Sequence, residues 1–135
     1  MIDFNLIICG GRDLFDAALI EQALVDAGWR DRVTRIIHGA APGIDTLAGA
    51  WAIAHSIPVE AYPANWQRYG RFFAGDVRNA EMARRAMQLG NPYCLAIPSP
   101  KSKGTWNMTR LCESNGIITH VFDGGLRVYR KKATT

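Results

Sequence analysis

Cysteine is scarce in this 135-residue chain, with three residues, Cys9, Cys94 and Cys112, each inside an apolar stretch. An odd count without CxxC spacing argues against a disulfide framework and predicts buried free thiols in a reducing compartment, taken as the cytoplasm. No run of about 18 apolar residues exists, so a membrane-spanning helix is not expected. The opening MIDFNLIICGG has an acid and no basic cluster, unlike a signal peptide. Standard catalytic signatures are missing as well. There is no GxxxxGK[ST] phosphate loop, no GxSxG nucleophile elbow, no HExxH and no Cys/His cluster, so neither a metal nor a cofactor is expected.

Surplus charge is confined to one end. The net charge is +4, but Arg127, Arg130, Lys131 and Lys132 lie in an acid-free tail, and residues 1–126 carry twelve cations against twelve acids. Whole-domain steering toward nucleic acid is therefore not supported, and the 127–135 tail reads as a solvated segment with capacity for a few phosphate contacts. With 48% hydrophobic and 21% charged residues, residues 1–126 are expected to form a single folded domain.

Five short apolar runs rich in β-branched or aromatic residues read as buried strands: 4–9, 34–37, 57–62, 92–97 and 117–122. Between them lie helical stripes. Ile44, Leu47, Ala48, Trp51 and Ala52 form the clearest; Phe15, Leu19 and Ala23 beside Ile20, Leu24 and Ala27 form another, stopped by Gly28. Ala80, Ala83 and Met87 mark a third, and Met108, Leu111 and Cys112 a fourth, stopped at Asn115-Gly116. This alternation predicts an α/β fold, a Rossmann-like three-layer sandwich with a mainly parallel five-stranded sheet. The residues 63–76 read as one long loop, and Leu126, Val128 and Tyr129 after the 123–125 turn suggest an extra C-terminal strand.

In such a sheet ligands bind beyond the carboxyl ends of the strands. The segments there are glycine-rich and polar: Gly10-Gly11-Arg12-Asp13, then His38-Gly39-Ala40-Ala41-Pro42-Gly43-Ile44-Asp45, then residues 63–79, then 99–105. Glycines admit close backbone approach, and helices starting near Asp13, Pro42, Val77 and Thr105 would direct N–H groups into one crevice, which favours an anion such as phosphate. Asp13 also suits a helix cap. Asp45 fits equally a first-turn acid and a ligand to a ribose hydroxyl. His38 is the histidine expected to face the crevice, whereas His55 and His120 read as structural. Arg12, Arg68, Arg71 and Arg78 interleave with Trp66, Tyr69, Phe72 and Phe73, a mixture suited to phosphate and base; Phe72 and Phe73 read better as packing or interface residues. Gly10-Gly11-Arg12-Asp13-Leu14-Phe15 is not GxGxxG, and the second run ends in His38-Gly39 instead of an acid, which speaks against a dinucleotide dehydrogenase.

The motifs GGRD at 10–13, HGAAPGID at 38–45, PANW at 63–66, RYGR at 68–71 and AGDVRNAEM at 74–82 together resemble the YspA-type branch of the SLOG superfamily. That superfamily also holds the LOG phosphoribohydrolases, once described as lysine decarboxylases, and the DNA-processing protein DprA. The resemblance spans roughly residues 5–122 and implies a Rossmann-like fold and a nucleotide or nucleotide-derived ligand. By the same resemblance Arg78 and Asn79 match the arginine motif of LOG enzymes. The LOG motif PGGxGTxEE corresponds to Pro98 through Met108, where Gly104 and Thr105 persist while its two acids read Asn107 and Met108. Phosphate recognition is thus expected without LOG-type hydrolysis, since the carboxylate that would assist glycosidic cleavage is missing.

The expected ligand-binding set is Gly10, Gly11, Arg12, His38, Gly39, Gly43, Asp45, Asn65, Trp66, Arg78, Asn79, Gly104 and Thr105, with a nucleotide-like small molecule as partner. An alternative is a nucleotide hydrolase of the phosphoribohydrolase type using Asp13, Asp45, Asp76 or Glu81 in place of the absent glutamate. A minority reading follows the DprA resemblance to single-stranded DNA, through Trp66, Tyr69 and the tail. LOG relatives form dimers, so a homo-oligomer is expected by analogy; no membrane partner is.

Overall fold

Each of the five apolar runs forms a strand in the computed structural model, which describes residues 2–123. The order along the chain is β1 (Asn5–Gly10), α1 (Ala18–Ala27), β2 (Arg35–His38), α2 (Ile44–Ala54), β3 (Val59–Ala61), α3 (Trp66–Leu89), β4 (Pro92–Ile97), α4 (Lys103–Ser114) and β5 (Ile118–Val121). All pairings are parallel, in the order β3-β2-β1-β4-β5. The expected extra strand at 126–129 and the basic tail lie outside the described residues.

Side chains alternate across β1 and so divide the core into two layers. Leu6 and Ile8 pack with Ile20 and Leu24 of α1 and Ile44 and Ala48 of α2. Ile7 and Cys9 face the opposite side, against Met82 and Ala86 of α3 and Met108 and Cys112 of α4. The result is a three-layer α/β sandwich of the expected Rossmann-like kind. Burying each Leu or Ile side chain contributes roughly 1.5–3 kcal/mol, which holds the central strands in place. Cys9, Cys94 and Cys112 are all free and buried, as their apolar settings predict.

Two helices begin elsewhere than their stripes suggest. α1 starts at Ala18 instead of near Asp13, because Asp16 Oδ1 accepts the Ala18 N–H at 3.0 Å and opens the helix there. Phe15 consequently lies outside the helix and is 70% exposed. α3 starts at Trp66, not Val77, with Asn65 Oδ1 accepting the Arg68 N–H at 3.1 Å as its cap. It then breaks at Gly70, whose φ of 72° and ψ of 171° lie outside the helical region. Phe72 and Phe73 follow the break and are 75% and 67% exposed, so they do not pack within the described chain.

Candidate functional site

The sheet order fixes where a ligand can enter. The chain runs outward from β1 through β2 to β3, then crosses back so that β4 takes the other side of β1. The segments leaving β1 and β4 therefore diverge to opposite faces of the sheet and leave a crevice between them. It has a volume of about 590 Å³ and is bounded by the Gly10 to Asp13 turn, Ala41 and Asp45 of the second turn, Arg78 and Asn79 of α3, and the start of α4. Cys9, Met82 and Met108 supply apolar surface inside it.

Arg78 lines the crevice and is held by hydrogen bonds to neutral groups. Its Nε donates to Asn79 Oδ1 at 2.9 Å, and its Nη1 donates to the Gly39 carbonyl. Asn79 is held in turn, its Nδ2 donating to Asn107 Oδ1 at 3.0 Å. Gly39 is needed for this arrangement, since a Cβ there would lie 2.5 Å from Nη1. Among the described residues Arg78 forms no ion pair. Desolvation pulls its pKa down from the ordinary arginine value, with the nearby Asp45 opposing the shift. A half-buried guanidinium held by neutral acceptors is well placed to gain from an incoming anion.

Asp45 lies on the same side of the crevice and is 6% exposed. Burial raises its pKa to about 6, against the lowering effects of the Ala41 N–H, Arg78, the Gly39 N–H and Arg12. The Ala41 N–H reaches Oδ2 at 3.2 Å. Asp45 thus holds its proton to a higher pH than an ordinary aspartate does.

Three amides of the second turn, those of Ala40, Ala41 and Ile44, are engaged within the chain. Ile44 N–H donates to the Gly11 carbonyl at 3.2 Å, and Ala40 N–H to His38 Nδ1 at 3.0 Å. Gly43 makes this weld possible: its φ is 77°, and a Cβ there would sit 2.3 Å from the Gly11 oxygen. The next two N–H groups, of Asp45 and Thr46, have no acceptor among the described residues, and α4 opens in the same way. Trp106 N–H closes the first turn on the Ser102 carbonyl, while the N–H groups of Gly104 and Thr105 have no acceptor among the described residues. Lys101 and Lys103 flank this helix start, and both line the crevice. Arg12 lines it from the β1 turn, with its guanidinium 5.8 Å above the Trp66 ring. Asp13 is there too, and a hydrogen bond with the Ser99 side chain keeps its pKa below the usual carboxylate range.

Of the residues expected to bind ligand, Gly10, Arg12, Asp45, Arg78, Asn79, Gly104 and Thr105 line the crevice. Gly11, Gly39 and Gly43 shape it from behind through the close approaches that their missing side chains permit. His38 is buried under α2, where a Cβ on Gly49 would meet its Nε2 at 2.8 Å, and it does not line the crevice. Asn65 and Glu81 line a separate hollow, and Asp76 is exposed and lines neither. Lys101, Lys103 and the Asn107 support of Asn79 were not singled out in the sequence; two lysines ahead of a helix were the available signal.

A family model described as the YspA, cpYpsA-related SLOG family matches residues 4–69, which covers β1 through the start of α3. The "Gene 61 protein" of Mycobacterium phage D29 is 32% identical over 119 residues, covering 84% of this chain and 91% of that protein. No solved structure matches significantly.

Proposed function

The chain belongs to the YspA, cpYpsA-related SLOG family, and on that basis we propose that its crevice binds a nucleotide or nucleotide-derived ligand through phosphate. The observation that carries this reading is Arg78, half-buried and fixed by Gly39 and Asn79 with no ion pair among the described residues. Phosphate would take the place of the missing carboxylate, with the Gly104 and Thr105 N–H groups, Arg12 and Lys101 completing the anion site. Asp45 would receive a ribose hydroxyl, and the surface of Cys9, Met82 and Met108 suits the flat face of a base.

Mass spectrometry of small molecules retained through purification tests this directly, followed by calorimetry with nucleoside mono-, di- and triphosphates. At least one nucleotide should bind, and Arg78→Ala should weaken it by about 1.5–3 kcal/mol, the range for a hydrogen bond to a charged group. Unchanged affinity would remove Arg78 from the site.

Asp45 gives a second reading some support, because a crevice carboxylate with a pKa of about 6 has the protonation range of a general acid or base. In that reading the protein hydrolyses the N-glycosidic bond of a nucleotide with Asp45 in place of the glutamate of LOG enzymes. Chromatographic release of free base, abolished in Asp45→Asn, would support it; tight binding without turnover leaves ligand binding as the function.

A further inference from the structure

A second hollow of about 260 Å³ adjoins Arg78 and is lined by residues on both sides of the Gly70 break: Asn65, Arg68 and Tyr69 before it, Val77, Arg78 and Glu81 after it. Ala74, Val77, Arg78 and Glu81 recur at helical spacing, so one face of α3 forms one wall. The short helical segment ahead of Gly70 contributes the other. Arg78 lines this hollow and the crevice alike.

We propose that this hollow is a second subsite of the crevice, and that the ligand consists of two nucleoside units joined through phosphate; the proposal rests on the nucleotide reading given above. Three observations support it. Arg78 spends Nε and Nη1 on Asn79 and Gly39, while Nη2 has no acceptor among the described residues. A linking phosphate bound there would be reached from both cavities. The hollow is also smaller than the roughly 300 Å³ at which whole small-molecule sites begin, so it suits one portion of a larger ligand. Finally, its chemistry matches a nucleoside. The Arg68 guanidinium lies 5.2 Å from the centre of the Tyr69 ring, a pair that offers a base a stacking surface. Glu81 and Arg68 form no ion pair among the described residues, which leaves the Glu81 carboxylate for the sugar hydroxyls of the second unit and the Arg68 guanidinium for its base.

Calorimetry on the full chain tests the proposal with three probe sets: the four 5′-mononucleotides, the sixteen 5′-phosphorylated dinucleotides joined by phosphodiester, and the four symmetric dinucleoside diphosphates. At least one linked compound should bind about tenfold or more tighter than its mononucleotide, because the second unit docks at high effective concentration. The set in which it falls distinguishes a phosphodiester from a pyrophosphate link. Arg68→Ala and Tyr69→Ala, with folding checked by circular dichroism, should return that compound to mononucleotide affinity and leave the mononucleotide unchanged. Mononucleotides binding as tightly as every linked compound would overturn the second subsite and leave the nucleotide reading intact. Equal loss for both ligand types in the two variants would do the same. Binding by no probe in any set would overturn both.

Discussion

Asp45→Asn isolates the cost of keeping a carboxylate in this crevice. Burial raises the pKa of Asp45 from 3.8 to about 6. At about 1.4 kcal/mol per unit, ionising it in the folded protein costs roughly 3 kcal/mol more than in the unfolded chain. Because the folded pKa is the higher one, the favourable contribution is complete below about pH 4 and is lost as pH rises to about 6. Asparagine keeps an oxygen to accept the Ala41 N–H and cannot ionise. The variant should therefore match the parent in stability near pH 4 and exceed it by up to about 3 kcal/mol at pH 8. Urea unfolding at pH 4, 5, 6, 7 and 8 reads this directly, followed by tryptophan fluorescence, since Trp29 and Trp51 are buried. Taking the difference between the two proteins cancels the titrations they share, including that of His38, whose pKa burial lowers. A variant that is less stable than the parent at pH 8 by as much as at pH 4 would refute the reasoning. Asp45 would then be a well-compensated ion partner of Arg78 and not a desolvated acid.

The close approach at the second turn makes Gly43→Ala costly. With φ at 77° and the new Cβ 2.3 Å from the Gly11 oxygen, backbone strain and displacement of the β1 turn should lower stability by about 3 kcal/mol or more, read as a lower urea midpoint. Gly104→Ala should act in the opposite direction on folding. Nothing lies within 4 Å of its added Cβ, so the first turn of α4 should gain up to about 1 kcal/mol, while the group intrudes where phosphate is proposed and weakens ligand binding. Thiol labelling provides a further check. Cys94 is fully buried, and its thiol's hydrogen bonds to Cys112 and Cys9, together with burial, push its pKa up, so it should resist alkylation in the native protein; Cys9, which lines the crevice, should label first and be protected by bound nucleotide. Equal labelling rates for all three cysteines would contradict the placement of Cys9.

The strands were legible because a parallel strand buried on both faces is apolar along its whole length, and the run at 92–97 coincides with β4 end to end. Helix starts were less legible, because local side-chain hydrogen bonds decide them more than apolar spacing does. Phe15 continued the α1 stripe in register, yet the Asp16 side chain takes the Ala18 N–H and the helix begins only there, which leaves Phe15 outside it. In the 63–76 stretch, Gly70 and Gly75 and the lack of an apolar stripe read as loop. The Asn65 cap was the available counter-signal, and Gly70 marks a break within α3 instead of the absence of helix.

At the candidate site, sequence reasoning fared best with residues whose role depends on topology and worst with those whose role depends on which hydrogen bonds are already made. Arg12, Arg78, Gly104 and Thr105 reach one crevice because the β1 and β4 switch point brings their segments together, and that follows from strand order. Whether a helix start presents free N–H groups does not follow from order. In α2 the Gly11 carbonyl takes the Ile44 N–H at 3.2 Å, whereas the N–H groups of Asp45 and Thr46, like those of Gly104 and Thr105 in α4, keep no acceptor among the described residues. The same distinction separates His38 from Arg78. His38 has Nδ1 occupied by the Ala40 N–H and its ring under α2, while Arg78 keeps one guanidinium nitrogen uncommitted between two cavities. The candidate site is accordingly defined by the polar groups that folding leaves unsatisfied, and residue type narrows the candidates without identifying them.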